Sequence, residues 1–361
     1  MGKLITLVTR AGLVLLLGIS ALLIAELRDW GQAPDLAVPT GITAEQAKAF
    51  EAMLDAKPDD LATREALISY YFRAALTSRD SALEEKHEQH VFWLIEHHPE
   101  SELAGSPEAG ILAMGFSQST EGYQHGKQLW LQQTTIHAGD PDILRHAAEF
   151  LLLQDGKIAR DLLEKALAVD PGDPESASML AHSYEQELAL TTSPEEKLAL
   201  AQKAVTVRER GLEKADPQQT FYGLASLAVS ALEAGETAKA QQYAAELLQS
   251  AEKFKSNWNY GNAVHKGNIV LGRIALGRGD LEGAKEHLLA AGQTPGSPQL
   301  DSFGPNMTLA KELLEKGERE AVLTYLQSCG KFWKMDRGSL QDWTATIKGG
   351  GTPDFGANLD Y

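Results

Sequence analysis

The feature that most constrains this chain is a pattern of small and large apolar residues that recurs along residues 140–333. The clearest unit, 140–171, turns at Gly156 and has Ala147 and Ala159 on either side of the turn. A repeat of roughly 34 residues with small residues at fixed places is typical of helix pairs, because only a small side chain lets two helix backbones approach where they cross. One pair cannot bury its apolar face alone, so the pattern predicts helix pairs stacked one on the next.

Further matches follow in the same phase. The second unit starts at Pro174 and carries an insertion near 191–194, and the later units turn at Gly235, Gly279 and Gly317. The small or apolar residues at equivalent positions include Leu180, Ala181, Ala204, Leu224, Ala228, Ala240, Gly272, Ala284, Leu309, Ala310 and Val322. These matches resemble the tetratricopeptide repeat family, although the leading tryptophan of its pattern is absent.

The resemblance covers about residues 140–333 and implies an all-α fold. Members of that family form a right-handed superhelical solenoid of antiparallel helix pairs, in which the first helix of each pair lines a concave groove. The stretches 90–101 and 287–318 are also similar to stretches in a group of bacterial membrane-anchored repeat proteins, a similarity that implies no particular activity. The resemblance therefore favours a scaffold over an enzyme.

Residues 43–139 are also predicted to be helical but less regular, as degenerate repeats or an N-terminal cap of the repeat array. Thr43 followed by Gln46 is typical of a capping box at a helix start. The predicted organisation is an apolar N-terminal segment (1–28), a linker (29–42), irregular helices (43–139), repeats (140–335), and a C-terminal helix with a flexible glycine-rich tail (336–361).

The N-terminal segment contains an uncharged apolar run from Ala11 to Ala25, which residues 4–8 extend across Arg10. Counted from residue 4, the run approaches the roughly 20 residues that cross a bilayer as a helix. Counted from residue 11, it is typical of a secretory signal, but Leu23 is large for the position before a cleavage site. Positive charge precedes the run and acidic residues follow it. The positive-inside rule therefore predicts an inner-membrane anchor through residues 4–25, with the body on the periplasmic side.

The formal net charge is −17 at pH 7, with a pI near 5.0. Such an acidic balance repels phosphates and predicts no nucleic-acid binding. The single cysteine, Cys329, excludes an intramolecular disulfide and a zinc site built on several thiolates. It occupies a small-residue position of the fifth unit, which favours a packed thiol. Since nucleophile and phosphate-loop patterns are absent as well, we expect no enzyme activity and no cofactor.

The stretch 258–273 places several polar side chains within a predicted helix. The repeat phase points Lys266, Ile269 and Arg273 into the groove, and Met307 belongs to the same face of the fifth unit. The predicted partner-binding groove comprises Tyr222, Ser226, Asn262, His265, Lys266, Asn268, Arg273 and Lys311. Cations and amides in this arrangement can clamp a peptide carboxylate through charge-assisted hydrogen bonds. The alternative is salt bridging with neighbouring acids such as Asp301 or Glu312.

A second hypothesis concerns metal chemistry. Glu84, His87 and His90 can share one helix face and contact a metal ion as part of a metal-binding protein or hydrolase. Zinc-protease helices carry two histidines four residues apart, whereas His87 and His90 are three apart. An ordinary polar helix face is the simpler interpretation.

These patterns predict a membrane-anchored scaffold or adaptor of the bacterial cell envelope that binds protein or peptide partners through its concave groove. A self-assembling structural protein is a further alternative. The long segment 292–306 is either a functional loop or a rigid spacer between helices, and its three prolines favour the spacer.

Overall fold

The computed structural model describes residues 41–78, 80–111 and 120–359. The predicted anchor (1–28) and nearly all of the predicted linker (29–42) lie outside these residues. Within the described ranges, no helix combines the length and the apolar character that crossing a membrane requires.

The described part of the chain is built from 16 α-helices and two short 3-10 helices, without a strand. The α-helices are α1 (Ala44–Ala56), α2 (Leu61–Ser78), α3 (Ser81–His97), α4 (Thr120–Ile136), α5 (Pro141–Leu151), α6 (Gly156–Val169), α7 (Pro174–Leu190), α8 (Pro194–Leu212), α9 (Pro217–Glu233), α10 (Thr237–Ala251), α11 (Tyr260–Gly277), α12 (Leu281–Ala291), α13 (Pro298–Ser302), α14 (Thr308–Glu315), α15 (Arg319–Cys329) and α16 (Ser339–Lys348). The 3-10 helices are Pro107–Ala109 and Gly356–Leu359. The all-α prediction is confirmed for these residues.

The helices divide into two compact units whose border, between residues 183 and 184, falls inside α7. In the first unit, α2 packs on α3, α3 on α4, α4 on α5 and α5 on α6. Its fully buried side chains include Leu67, Leu94 and Trp130. The predicted capping box is present at the start of α1, where Thr43 accepts from the Gln46 backbone and Gln46 bonds back to Thr43.

In the second unit, each helix from α8 to α11 packs against the next one along the chain, as the repeat pattern predicts. The first helices of successive pairs also contact each other, α9 with α11 and α11 with α14. Small residues lie where the helices cross. A Cβ added to Gly272 would stand 2.3 Å from Leu309 Cδ2, and one added to Gly267 would stand 2.9 Å from Leu248.

Residues 349–359 of the tail that was predicted to be flexible pack against the last helices. Phe355 is 2% exposed and packs edge-on against Trp343, with ring centroids 5.0 Å apart. The Trp343 indole N–H donates to the Asp354 carbonyl at 3.1 Å. The glycine content of the tail suggested mobility, but one buried aromatic ring and several hydrogen bonds fix the segment against the last helices.

Candidate functional site: the first-helix face of the second unit

The candidate site is the surface that α9, α11 and α14 form together on one side of the second unit. Arg273 identifies that side, because its guanidinium bonds both Glu233 of α9 (Nη1–Oε1, 2.9 Å) and Glu312 of α14 (Nε–Oε1, 3.0 Å). Residues seven apart on a helix lie two turns apart on the same side, so Ser226 of α9 and Lys266 of α11 lie on it too. We name this surface the first-helix face.

Both ion pairs of Arg273 are formed with residues of the same chain. Burial lowers the pKa of the guanidinium, but the nearby Glu312 and Glu233 carboxylates more than offset this, and the net direction is upward. The arginine therefore ties α9, α11 and α14 together, as the salt-bridge alternative supposed. It is not an unpaired cation of the groove.

Lys266 and Lys311 differ from Arg273. Both side chains are half-buried, yet neither forms a hydrogen bond or ion pair with another residue that the structure describes. Every other half-buried lysine or arginine in the described ranges has a polar partner. These are Arg64 with Pro58, Lys127 with Asp155, Arg145 with Glu175, Arg160 with Ser183, Lys285 with Glu318 and Arg319 with Gly351.

Two aromatic rings, Tyr222 on α9 and Trp258 just before α11, lie next to each other. The rings of Tyr222 and Trp258 are half-buried, with centroids 6.3 Å apart. The Tyr222 hydroxyl accepts from Asn257 Nδ2 (2.7 Å) and from Gln218 Nε2 (3.1 Å). These bonds fix the ring at the edge of the face, and Ser226 lies half-buried one turn further along α9.

The predicted groove amides Asn262 and Asn268 are turned into the protein, with exposures of 4% and 7%. Asn262 donates to Gln299 Oε1 (2.6 Å) and accepts from the Ser297 hydroxyl (2.6 Å). Asn268 donates to the Val264 carbonyl and accepts from His287 Nδ1. Their hydrogen-bonding groups serve the fold, so these two residues do not line an open surface.

His265 is likewise internal, at 1% exposed. The Asn306 backbone N–H donates to Nε2 at 3.0 Å, which requires Nε2 to be unprotonated. The proton is therefore on Nδ1, which donates to the Ala291 carbonyl at 3.3 Å. Burial lowers the pKa of His265 to about 4, since a charged imidazolium is disfavoured there and has no acceptor for the second N–H.

Hydrogen bonds and close packing hold the segment 292–306 against α11. Thr294 donates through its hydroxyl to the Gly261 carbonyl at 2.8 Å, and the Ser297 hydroxyl caps α13 through the Leu300 N–H. Gly261 lies so close to this segment that an added Cβ would stand 1.9 Å from the Gly296 carbonyl oxygen. The Ser, Thr and Asn content of the sequence signals such turns, but not which helix they bond.

The residues of the metal hypothesis have other partners. His87 Nε2 lies 2.7 Å from the Glu108 carbonyl oxygen, and His90 stacks on Tyr71 and lies 3.5 Å from Glu51. Burial lowers the pKa of both imidazoles. Across 41–78, 80–111 and 120–359, no three His, Cys, Asp or Glu side chains come together in a way that could hold a metal ion. His87 and His90 are thus bonded within the fold, and the metal hypothesis on Glu84, His87 and His90 stays a prediction.

The first unit contains an open cavity of about 870 Å³ that sequence reasoning missed. Its wall includes Glu65, Glu102, Glu108 and Arg73. Arg73 pairs with Glu108 at 3.6 Å, and Glu65 accepts from the Ser101 hydroxyl at 2.7 Å. These residues come from separate helices and a loop, so no local sequence pattern marks the cavity.

Comparison of the sequence with protein-family models and with curated proteins gave no match.

Proposed function

We propose that this protein is a membrane-anchored scaffold of the tetratricopeptide kind, and that it binds protein or peptide partners through the first-helix face. In this proposal the helix pairs form a right-handed solenoid, the first-helix face is its concave groove, and the protein acts as an adaptor rather than an enzyme. The observation that carries the proposal is that two partly buried lysines of this face, Lys266 and Lys311, have no hydrogen-bond or ion-pair partner among the described residues.

Neither ammonium group has an acceptor among the described residues, so both are available to a ligand. A carboxylate brought by a partner would supply the missing charge-assisted hydrogen bonds, which are roughly twice as strong as neutral ones. The net charge of −17 opposes an extended polyanion, so the expected ligand is a peptide with isolated acidic side chains. Tyr222 and Trp258 offer an aromatic surface for an adjoining apolar residue.

The test is a crosslinking pulldown from membranes with three forms of the full chain. These are the unchanged protein, the double variant Lys266→Glu and Lys311→Glu, and a control double variant, Lys253→Glu and Lys316→Glu. The control lysines are exposed, lie in the same unit and change the net charge equally. Arg273 is left intact, because reversing it would place a third carboxylate beside Glu233 and Glu312.

We expect the first double variant to recover a specific set of partners at least about tenfold less efficiently, since even one lost charge-assisted bond is worth roughly 1.5–3 kcal/mol. The control variant should recover them as the unchanged protein does. Recovery of the same partners by all three forms would show that this face is not the binding site. Attention would then move to the cavity of the first unit.

The proposed location rests on residues 1–28. We expect the full chain to remain with membranes after a carbonate wash, and a variant lacking residues 1–28 to be released. Protease added to the periplasmic side of spheroplasts should digest the body. A body protected from that protease would place it on the cytoplasmic side and contradict the proposed orientation.

A further inference from the structure

The chain after α16 returns to the end of the first-helix face. Residues 352–359, which we name the C-terminal strap, follow three successive glycines at 349–351. The Met307 backbone N–H donates to the Asn358 carbonyl at 2.7 Å, and the Thr308 hydroxyl donates to the Leu359 carbonyl at 3.4 Å. The strap therefore ends at the first residue of α14.

This position lies on the face that we propose for partner binding. Thr308, Lys311 and Glu312 are three and four residues apart, so they share one side of α14. Glu312 is the residue that bonds Arg273 across the first-helix face. The end of the strap is consequently about one helical turn from the position of Lys311 on α14.

A few contacts hold the strap. Phe355 inserts beside Trp343, and Asn358 Nδ2 donates to the carbonyls of Phe303 (3.0 Å) and Pro305 (2.9 Å). Opening the strap also breaks the Trp343 bond to the Asp354 carbonyl and exposes Phe355, but it breaks no hydrogen bond within a long helix. A segment attached in this way can open locally while the helices beneath it stay folded.

The base of the strap is fixed separately. The Arg319 guanidinium donates to the carbonyls of Gly350 (2.7 Å) and Gly351 (2.9 Å). Gly350 has a φ of +88°, a conformation that other residues rarely adopt. The C-terminal strap therefore has a fixed base, begins after three glycines and reaches the first-helix face.

We propose that the C-terminal strap is an autoinhibitory element, which covers the α14 end of the first-helix face in the free protein and opens to admit a partner. The inference rests on the proposed function. Because the strap belongs to the same chain, it competes at a high effective concentration and lowers the apparent affinity of any partner that needs this end of the face.

Hydrogen exchange of the full chain tests the opening without a ligand. In the structure the Met307 amide bonds the strap carbonyl of Asn358, whereas the Lys311 amide bonds the Met307 carbonyl at the start of α14. Asn358→Ala removes two strap hydrogen bonds and keeps the carbonyl that Met307 uses. We expect it to accelerate Met307 exchange by about tenfold or more while Lys311 exchange stays unchanged. Gln327→Ala, an exposed substitution on α15, is the control and should change neither amide.

Exchange of Met307 and Lys311 at one common rate, accelerated together by Asn358→Ala, would show that the strap opens only when the helices unfold, and would overturn the proposal. The pulldown supplies the second readout. Partners lost in the Lys266 and Lys311 double variant should be recovered more efficiently by Asn358→Ala, and unchanged recovery would remove the autoinhibitory role. If the lysine double variant loses no partner, the proposed function fails, while the exchange result still decides whether the strap opens.

Discussion

Replacing Gly261 by alanine is expected to lower the free energy of unfolding of the second unit by about 3 kcal/mol, because the added methyl has no space. Its Cβ would stand 1.9 Å from the Gly296 carbonyl oxygen and 2.5 Å from the carbonyl carbon. These are backbone atoms, so no rotamer change relieves the overlap. The segment would have to move, which breaks the Thr294 bond to the Gly261 carbonyl.

Chemical unfolding measures the loss, and hydrogen exchange assigns it to the second unit. Gly277→Ala is the matched control, since Gly277 ends the same helix and an added Cβ meets nothing within 4 Å. That change should leave stability unaltered or raise it by up to about 1 kcal/mol, because alanine is the better helix former. Equal stabilities for the two variants would contradict the close packing of segment 292–306 on α11.

Acidification from pH 7 to pH 4 is expected to remove about 3 kcal/mol of stability from the second unit through His265 alone. The folded-state pKa is lowered to about 4, against an ordinary value of 6.5, chiefly by burial and further by the charge of Lys266. Between these values the unfolded chain binds more protons than the folded one. The contribution is therefore fully present above pH 6.5 and is lost as the pH falls towards 4.

The variant His265→Gln isolates this effect, because glutamine offers one acceptor and one donor but does not titrate. We expect the variant to be less stable at pH 7 and to lose about 3 kcal/mol less than the unchanged protein between pH 7 and pH 4. Unfolding titrations at a series of pH values provide the comparison. Parallel pH profiles for the two proteins would mean that the pKa of His265 is the same in the folded and unfolded states, and would contradict the predicted shift.

The phase of the repeat pattern predicted the positions of some residues of the candidate site but not of others. The phase placed Lys266 and Arg273 on one side of α11, and the bonds of Arg273 to helices on both sides agree with that placement. The repeat phase could not show that Arg273 is paired and Lys266 is not, because the two partners of Arg273 lie 39 and 40 residues away in the chain. Met307, assigned to the groove by the same phase, is fully buried in the core instead.

The assignment of His265 failed for a related reason. A polar residue inside an amphipathic helix predicts a groove position, yet both ring nitrogens of His265 bond backbone groups of segment 291–306. The insertion between α12 and α14 brings that segment over α11, and Asn262 and His265 of α11 meet it rather than solvent. Buried backbone groups need hydrogen-bond partners, and here His265 serves the Ala291 carbonyl and the Asn306 N–H.

The sequence alone determined the helical class, the pairing of successive helices and the small residues at their crossings, with Gly272 against Leu309 as an example. These properties follow from periodicity along the chain, which local side-chain size and spacing express directly. Only the tertiary structure decided which cations remain unpaired, which polar groups are buried, and that the glycine-rich tail folds back onto α14. Those outcomes depend on contacts between residues tens of positions apart, whose partners are set by how the helices stack and not by any local pattern.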